Sequence, residues 1–361
     1  MENKPIYVTI PSLAPLEEYV ELLKGVWERG ILTHNGPLVQ QLEKEIDAYL
    51  GADTTVLVTN GTIALHLALR ALDLHEGEVI TTPFTWVASC STIQWEGFDP
   101  VFVDVDPETF NIDPDKIEAA ITEKTRAILG VHVFSCPCDV ERIEAIASRY
   151  NLKVIYDGAH AFGVKHKKES IFSRGDISTT SFHATKLLNT GEGGAVFASG
   201  LLKERIKSLR FFGIDSRNNI TDIGTNAKMT EIHAALGLCN LSDVTNGINH
   251  RKSIYSNYFN ALSHKVSFQK FNPSSYNYSF MPVLFSSEAE LLAVISHLNA
   301  NNVFPRRYFN PSLNEIKAIQ QYTPCPVSED LSRRILCLPS YNELSLDSVN
   351  RISEMILDVL K

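Results

Sequence analysis

The chain has 361 residues, which suggests about two domains, and its 44% hydrophobic and 21% charged residues are ordinary for a globular protein. Its net charge of −9 argues against a general nucleic-acid binder with a broad basic face, while leaving room for one local basic site that takes an anionic small molecule. No stretch reaches the roughly 18 uninterrupted apolar residues of a membrane span, and "MENKPIYVTIPSLAP" lacks the pattern of a secretion signal, so a cytoplasmic protein without a membrane or nucleic-acid partner is expected.

"PLEEYVELLKGVWERG" opens the chain as helix. An alternation follows. "TTVLVTN" reads as strand, "GTIALHLALRALDL" as helix, "EVITTP" as strand, "TWVASCSTIQWEG" as helix and "DPVFVDVD" as strand. "DPDKIEAAITEK" has an acidic first turn and helical spacing, "TRAILGVHVF" is a near-continuous apolar strand, "DVERIEAIASRYN" is helix and "LKVIYDGAH" is strand. Strands alternating with helices predict an α/β fold, with a mostly parallel sheet flanked by helices on both faces. Beyond "GGAVFAS", another strand, come the helices "MTEIHAALGLCNL" and Val244 to Leu262. The remaining chain mixes strand ("YNYSFMPVLF") with helix ("EAELLAVISHLNANN", "DSVNRISEMILDVL"), which suggests a smaller α+β domain. We expect a large domain over 1–240 and a small one over 241–361.

The six cysteines, Cys90, Cys136, Cys138, Cys239, Cys325 and Cys337, are scattered. Cys136 and Cys138 form "CPC", but no second pair stands at zinc-site spacing, so buried or loop thiols are expected and no metal.

Four places carry chemistry. In "TNGT" a strand ends and a helix begins; the first helical amides and the dipole favour an anion, with Gly61 allowing close approach and Thr62 adding a hydroxyl. A plain N-cap by Asn60 or Thr62 explains the same residues. Asp157, at the end of an apolar strand, could hold a cationic ring nitrogen or merely cap a turn; His160 follows it and could bind a ligand oxygen or fill space. Trp86 could stack on a planar ligand or sit in the core. Lys186, in "SFHATKLLNTGEGG", could be a solvated charge, a phosphate clamp or a buried amine that forms a Schiff base. Together these four match what pyridoxal 5′-phosphate needs from a protein.

In order along the chain, "GILTHNGPLVQQLEKEI", "TNGTIALHLAL", "TTPFTWVAS", "YDGAHAFG", "SFHATKLLNTGEGG" and "GTNAKMTEIHAALGL" resemble the DegT/DnrJ/EryC1 sugar aminotransferases, fold-type I pyridoxal-phosphate enzymes that act on nucleotide-linked keto sugars. The resemblance implies that Lys186 forms the Schiff base with the cofactor and then moves the substrate proton. It implies that Asp157 binds the pyridine nitrogen, Trp86 stacks on the ring, and Gly61, Thr62 and Ser181 hold the phosphate. His160 would lie near the ring hydroxyl. Asn226 would reach the phosphate in a neighbouring subunit, making a homodimer with shared sites.

The resemblance also implies L-glutamate as amino donor, with 2-oxoglutarate as its product. The stretch around Lys186, with His183 three residues before it, looks like members that aminate carbon 4 of the sugar. The leading substrate is dTDP-4-keto-6-deoxy-D-glucose, giving dTDP-4-amino-4,6-dideoxy-D-glucose for surface polysaccharide such as O-antigen and lipopolysaccharide. Transfer at carbon 3, or a UDP- or GDP-linked sugar, is the alternative. The loop Thr33 to Gly36, with Thr33 and Asn35, His183, and the pair Arg306 and Arg307 are candidate sugar or diphosphate contacts. The arginines would otherwise be a solvated cluster, or would hold the carboxylate of an amino-acid substrate.

Overall fold

Seven short strands form the central sheet of the computed structural model, which describes residues 4–361. Met1 to Asn3 of the N-terminal stretch read above lie outside the described residues. The strands are β1 (Thr55–Val58), β2 (Glu78–Thr81), β3 (Asp99–Phe102), β4 (Thr125–Val131), β5 (Lys153–Asp157), β6 (Ile177–Ser181) and β7 (Gly194–Phe197). They lie in the order β1-β7-β6-β5-β4-β2-β3, and only β7 runs against the others.

The helices of this part are α1 (Leu16–Arg29), α2 (Pro37–Leu50), α3 (Gly61–Ala71), α4 (Val87–Trp95), α5 (Pro114–Ala120), α6 (Val140–Tyr150), α7 (Gly200–Arg210) and α8 (Glu231–Leu241). Alternate side chains of each strand serve opposite faces. Leu57, Ile128, Tyr156 and Phe197 pack with Leu42 and Ile46 of α2 and Ile143 of α6. Their chain neighbours Val56, Leu129, Ile155 and Val196 pack with Leu65 and Leu69 of α3 and Leu209 of α7. Both faces are therefore covered, and this is why the strands read as continuous apolar runs.

C-terminal residues form a further core. Helices α9 (Val244–Leu262), α10 (Glu288–Ala300) and α12 (Leu346–Val359) bury Tyr258, Val294 and Ile352 with Val283 and Leu336 of a three-stranded antiparallel sheet. Ile6–Tyr7 pairs in parallel with Val303–Phe304 and adds Ile6 to this core.

Two segments depart from their sequence reading. In "YNYSFMPVLF" only Pro282–Leu284 is strand. Tyr278 turns the chain at φ 57°, and the Asn277 amide donates to the carbonyls of His160 and Phe162 rather than to a sheet. In "DPVFVDVD" the strand stops at Phe102, and the Asp104 carboxylate accepts from the amides of Val327 and Ser328, capping α11 (Pro326–Arg334). Among the described residues no helix is long and apolar enough to cross a membrane.

Candidate active site

The C-terminal ends of β1, β2, β4, β5 and β6 open on one cavity of about 470 Å³, the place where ligands gather in open α/β sheets. At its β1 end the backbone of Asn60 is extended, and its Oδ1 accepts from the Ile63 amide at 2.9 Å. The capping reading therefore holds for Asn60. It leaves the amides of Gly61 and Thr62 at a helix start with no partner inside the helix. A Cβ on Gly61 would come within 2.7 Å of Ser181 Cβ, so glycine is what lets α3 and β6 close on a narrow, amide-lined cradle.

Asp157 is 7% exposed at the end of β5. Its Oδ2 accepts from Ser89 Oγ at 2.8 Å and its Oδ1 from the Ala159 amide at 3.0 Å. Ser89 Oγ in turn shares a hydrogen bond with Thr85 Oγ1 at 2.9 Å. The carboxylate is thus fixed on its edges while remaining on the cavity wall. Gly158 makes the turn after it possible, because a Cβ there would meet Phe172 at 2.5 Å.

Lys186 sits in a loop that leaves β6 and returns to β7. Phe182 N–H donates to the Gly193 carbonyl and Ala184 N–H to that of Gly191, both at 2.8 Å, and Thr190 Oγ1 donates to the Glu192 carbonyl at 2.7 Å. Gly193 must lack a side chain, since a Cβ would lie 2.1 Å from Thr190 Oγ1. The Lys186 amine lies 5.7 Å from the Phe280 ring centroid. Burial pulls its pKa down to about 8; the nearby Asp157 carboxylate resists this and Arg306 adds to it. A lysine with a lowered pKa beside a carboxylate is a nucleophile and a proton carrier near neutral pH.

The remaining wall combines flat and basic groups. Trp86 is 54% exposed, and the Arg306 guanidinium lies 5.8 Å from its ring and 4.9 Å from that of Tyr308. Its neighbour Arg307 faces elsewhere, donating to Glu288 at 2.6 Å and to the Arg333 carbonyl at 3.1 Å. His183 lines the cavity, with Nδ1 accepting from the Thr185 amide at 3.2 Å and Nε2 3.8 Å from Glu192.

Of the residues singled out in the sequence, the cavity gathers Gly61, Thr62, Trp86, Asp157, His160, Ser181, His183, Lys186 and Arg306. Thr33, Asn35, Asn226 and Arg307 are outside its wall. Asn35 borders a second hollow of about 430 Å³ with Arg210 and Lys228; its Oδ1 accepts from Arg210 at 3.1 Å, and Lys228 donates to Asn226. Sequence reasoning passed over Thr85, Ser89, Tyr308 and Glu192. Ser89 lies about one helical turn beyond Trp86, and a serine inside an apolar helix is its only mark in the sequence. Among the described residues no group of three or more His, Cys, Asp or Glu gathers as a metal site, and the six cysteines are free and buried.

Similarity to known proteins agrees with this geometry. Residues 16–357 match the model of the DegT/DnrJ/EryC1/StrS aminotransferase family. The chain is 41% identical over 366 residues to a dTDP-4-amino-4,6-dideoxy-D-glucose transaminase from Shigella dysenteriae, covering 99% of this chain and 100% of that protein. The structure of DesI in the presence of its TDP-sugar product superposes with a TM-score of 0.93 at 32% identity, covering 99% of this chain and 94% of the other. The structure of NtdA from Bacillus subtilis with bound cofactor PMP gives a TM-score of 0.89 at 26% identity, covering 96% and 82%.

Proposed function

This chain belongs to the DegT/DnrJ/EryC1/StrS aminotransferase family, and from that premise we propose that it transfers an amino group from L-glutamate to carbon 4 of dTDP-4-keto-6-deoxy-D-glucose, giving dTDP-4-amino-4,6-dideoxy-D-glucose. The observation that carries the reading is the full-length match to the Shigella dysenteriae transaminase, with Lys186 on the wall of the cavity at the strand ends.

The cavity fits pyridoxal 5′-phosphate. The cradle that a Cβ on Gly61 would fill, with Thr62 and Ser181 beside it, suits a phosphate. Asp157 suits the pyridine nitrogen, Trp86 the ring face, His160 the ring oxygen and Lys186 the aldehyde. When bound, the cofactor supplies an aldehyde that captures amines and a ring that accepts the electron pair of a breaking C–H bond.

The chain's own groups supply the rest. Lys186 Nζ, with its pKa lowered to about 8, takes the proton from the amine-bearing carbon of the donor. It returns a proton to the sugar carbon in the second half-reaction. Asp157, held by Ser89 and the Ala159 amide, is the side chain that would hold the ring nitrogen. Arg306, at the cavity mouth, is a cation for the sugar diphosphate or the donor carboxylate.

The reading includes a homodimer with shared sites. It is supported by an exposed apolar stripe on α1, Leu16, Val20 and Trp27, and by the continuing exposure of Ile31 and Leu32. Asn226 stands outside its own cavity, as a residue serving a neighbour's phosphate would. We place the enzyme in the cytoplasm, where six free thiols persist, and its product in the supply of amino sugars for surface polysaccharide.

A substrate panel on the aminated enzyme tests the reading. Return of the visible absorbance should be fastest with dTDP-4-keto-6-deoxyglucose. A faster return with the 3-keto isomer would move the reaction by one carbon. A UDP- or GDP-linked sugar in first place would change the nucleotide. Response to 2-oxoglutarate alone would overturn the sugar assignment.

A further inference from the structure

We infer that the turn at Phe134–Ser135 is a positioning device: its backbone N–H holds His160 as the Nε2–H tautomer, so the imidazole presents a fixed hydrogen-bond donor to an anionic ligand oxygen in the cavity. The inference rests on the reading of this cavity as a cofactor site and goes beyond it by placing a proton.

After β4 the chain does something unusual. Phe134 and Ser135 adopt φ of 50° and 75° in succession, a region that bulky side chains rarely occupy. Both are fully buried. Such a conformation persists only where its surroundings impose it. Here the Asn111 side-chain oxygen accepts from the Val133 amide at 2.9 Å, and the Gln269 amide donates to the Val133 carbonyl at 3.0 Å. Ser135 Oγ donates to the His160 carbonyl at 2.7 Å, and Asn277 donates to the same carbonyl at 3.0 Å. These bonds tie the turn to the histidine's own backbone.

The result is a donor aimed at a ring nitrogen. The Phe134 amide donates to His160 Nδ1 at 3.2 Å. A nitrogen that accepts this bond cannot also carry a proton, so in the neutral ring the proton is on Nε2. A second proton would set N–H against N–H. Aromatic rings pack around it: the Phe280 centroid is 4.1 Å away, and Phe134 and Phe309 lie nearly parallel at 6.0 and 6.2 Å. His160 borders the cavity, and with Nδ1 taken by the Phe134 amide, Nε2 is the ring nitrogen left for a ligand.

The charged groups around it agree. Burial, with the nearby Lys186 cation adding to it, holds the imidazole well below its usual pKa. Asp157 and Arg306 act on Lys186 from the same cavity, and Tyr308 packs against Phe134 and Phe280. Both effects favour the neutral ring and so keep the donor in place. A glutamine here could also offer N–H, but its amide can flip; the histidine held by Phe134 cannot exchange donor for acceptor.

Nuclear magnetic resonance of full-length protein carrying 15N-labelled histidine reads the tautomer directly, with and without pyridoxal phosphate, from about pH 6 to 8. His160→Gln assigns the signal. A neutral ring with Nδ1 as acceptor and hydrogen on Nε2 is expected; hydrogen on Nδ1, or on both nitrogens, would overturn the inference. Titration with pyridoxal phosphate gives a second arm. His160→Gln should bind within about threefold of the parent and His160→Leu about tenfold or more weaker. Equal affinity of His160→Leu and parent would also overturn it. Failure of the parent chain to take pyridoxal phosphate would instead sink the cofactor reading, and the tautomer measured without cofactor would still decide this one.

Discussion

The cavity at the strand ends and the hollow beside α7 hold similar residue types and are built differently. In the cavity the polar groups answer one another: Asp157 is braced by Ser89, Ser89 by Thr85, His160 by the Phe134 amide, and Lys186 lies within electrostatic reach of Asp157. In the hollow, Lys228 rests 4.6 Å and 4.9 Å from the rings of Phe211 and Phe212, hydrogen-bonded to Asn226, and burial and Arg210 lower its pKa. In the first region the polar groups are braced by partners within the chain. The second leaves the Asn226 side chain exposed, as the proposed contact with another copy would need.

Breaking the first region should have the largest effect. Lys186→Ala removes both nucleophile and proton carrier, and turnover should fall by about four orders of magnitude, with loss of visible absorbance on adding pyridoxal phosphate. Asp157→Ala should lower turnover about 100-fold or more, because the electron-accepting ring loses its fixed charge partner. Steady-state rates on both variants check these, and circular dichroism confirms that they fold.

The second region should respond more gently and differently. Asn226→Ala should weaken pyridoxal-phosphate binding about tenfold, the scale of one lost hydrogen bond to a charged group. If the site is shared, mixing it with Lys186→Ala protein should restore part of the activity, since one of the two sites in a mixed dimer is then intact. No restoration would break the comparison.

Protonation sharpens the account of Lys186. With its pKa lowered to about 8, the amine is free in about a tenth of molecules at pH 7 and about nine-tenths at pH 9. The rate at which cofactor-free protein captures pyridoxal phosphate should therefore rise about tenfold across that interval. A rise that continues toward the ordinary lysine range would place the amine in water. The smallest effect concerns two adjacent residues. Arg306→Ala should raise the KM for the sugar nucleotide, whereas Arg307→Ala should leave KM unchanged and cost about 1 kcal/mol of stability through its lost pair with Glu288.

Much of this was legible in the sequence because the relevant signals are local. A β-branched run before "TNGT", or an apolar run before "DG", marks a strand end facing the ligand side. Lys186 was legible from glycines whose necessity is steric: Gly193 lies against Thr190, in its own loop. What escaped depended on distance in the chain. Ser89 bonds Asp157 across 68 residues, and the Phe134 amide meets His160 across 26. Arg306 and Arg307 are indistinguishable as letters, and only the pairing of Cys337 with Arg306 sends one guanidinium to the cavity and its neighbour to Glu288.

The most direct test of the central claim is to load the full-length protein with pyridoxal phosphate, reduce it with borohydride, and map the modified peptide by mass spectrometry. A single phosphopyridoxyl group on Lys186 is expected. Modification of another lysine, or none, would contradict it.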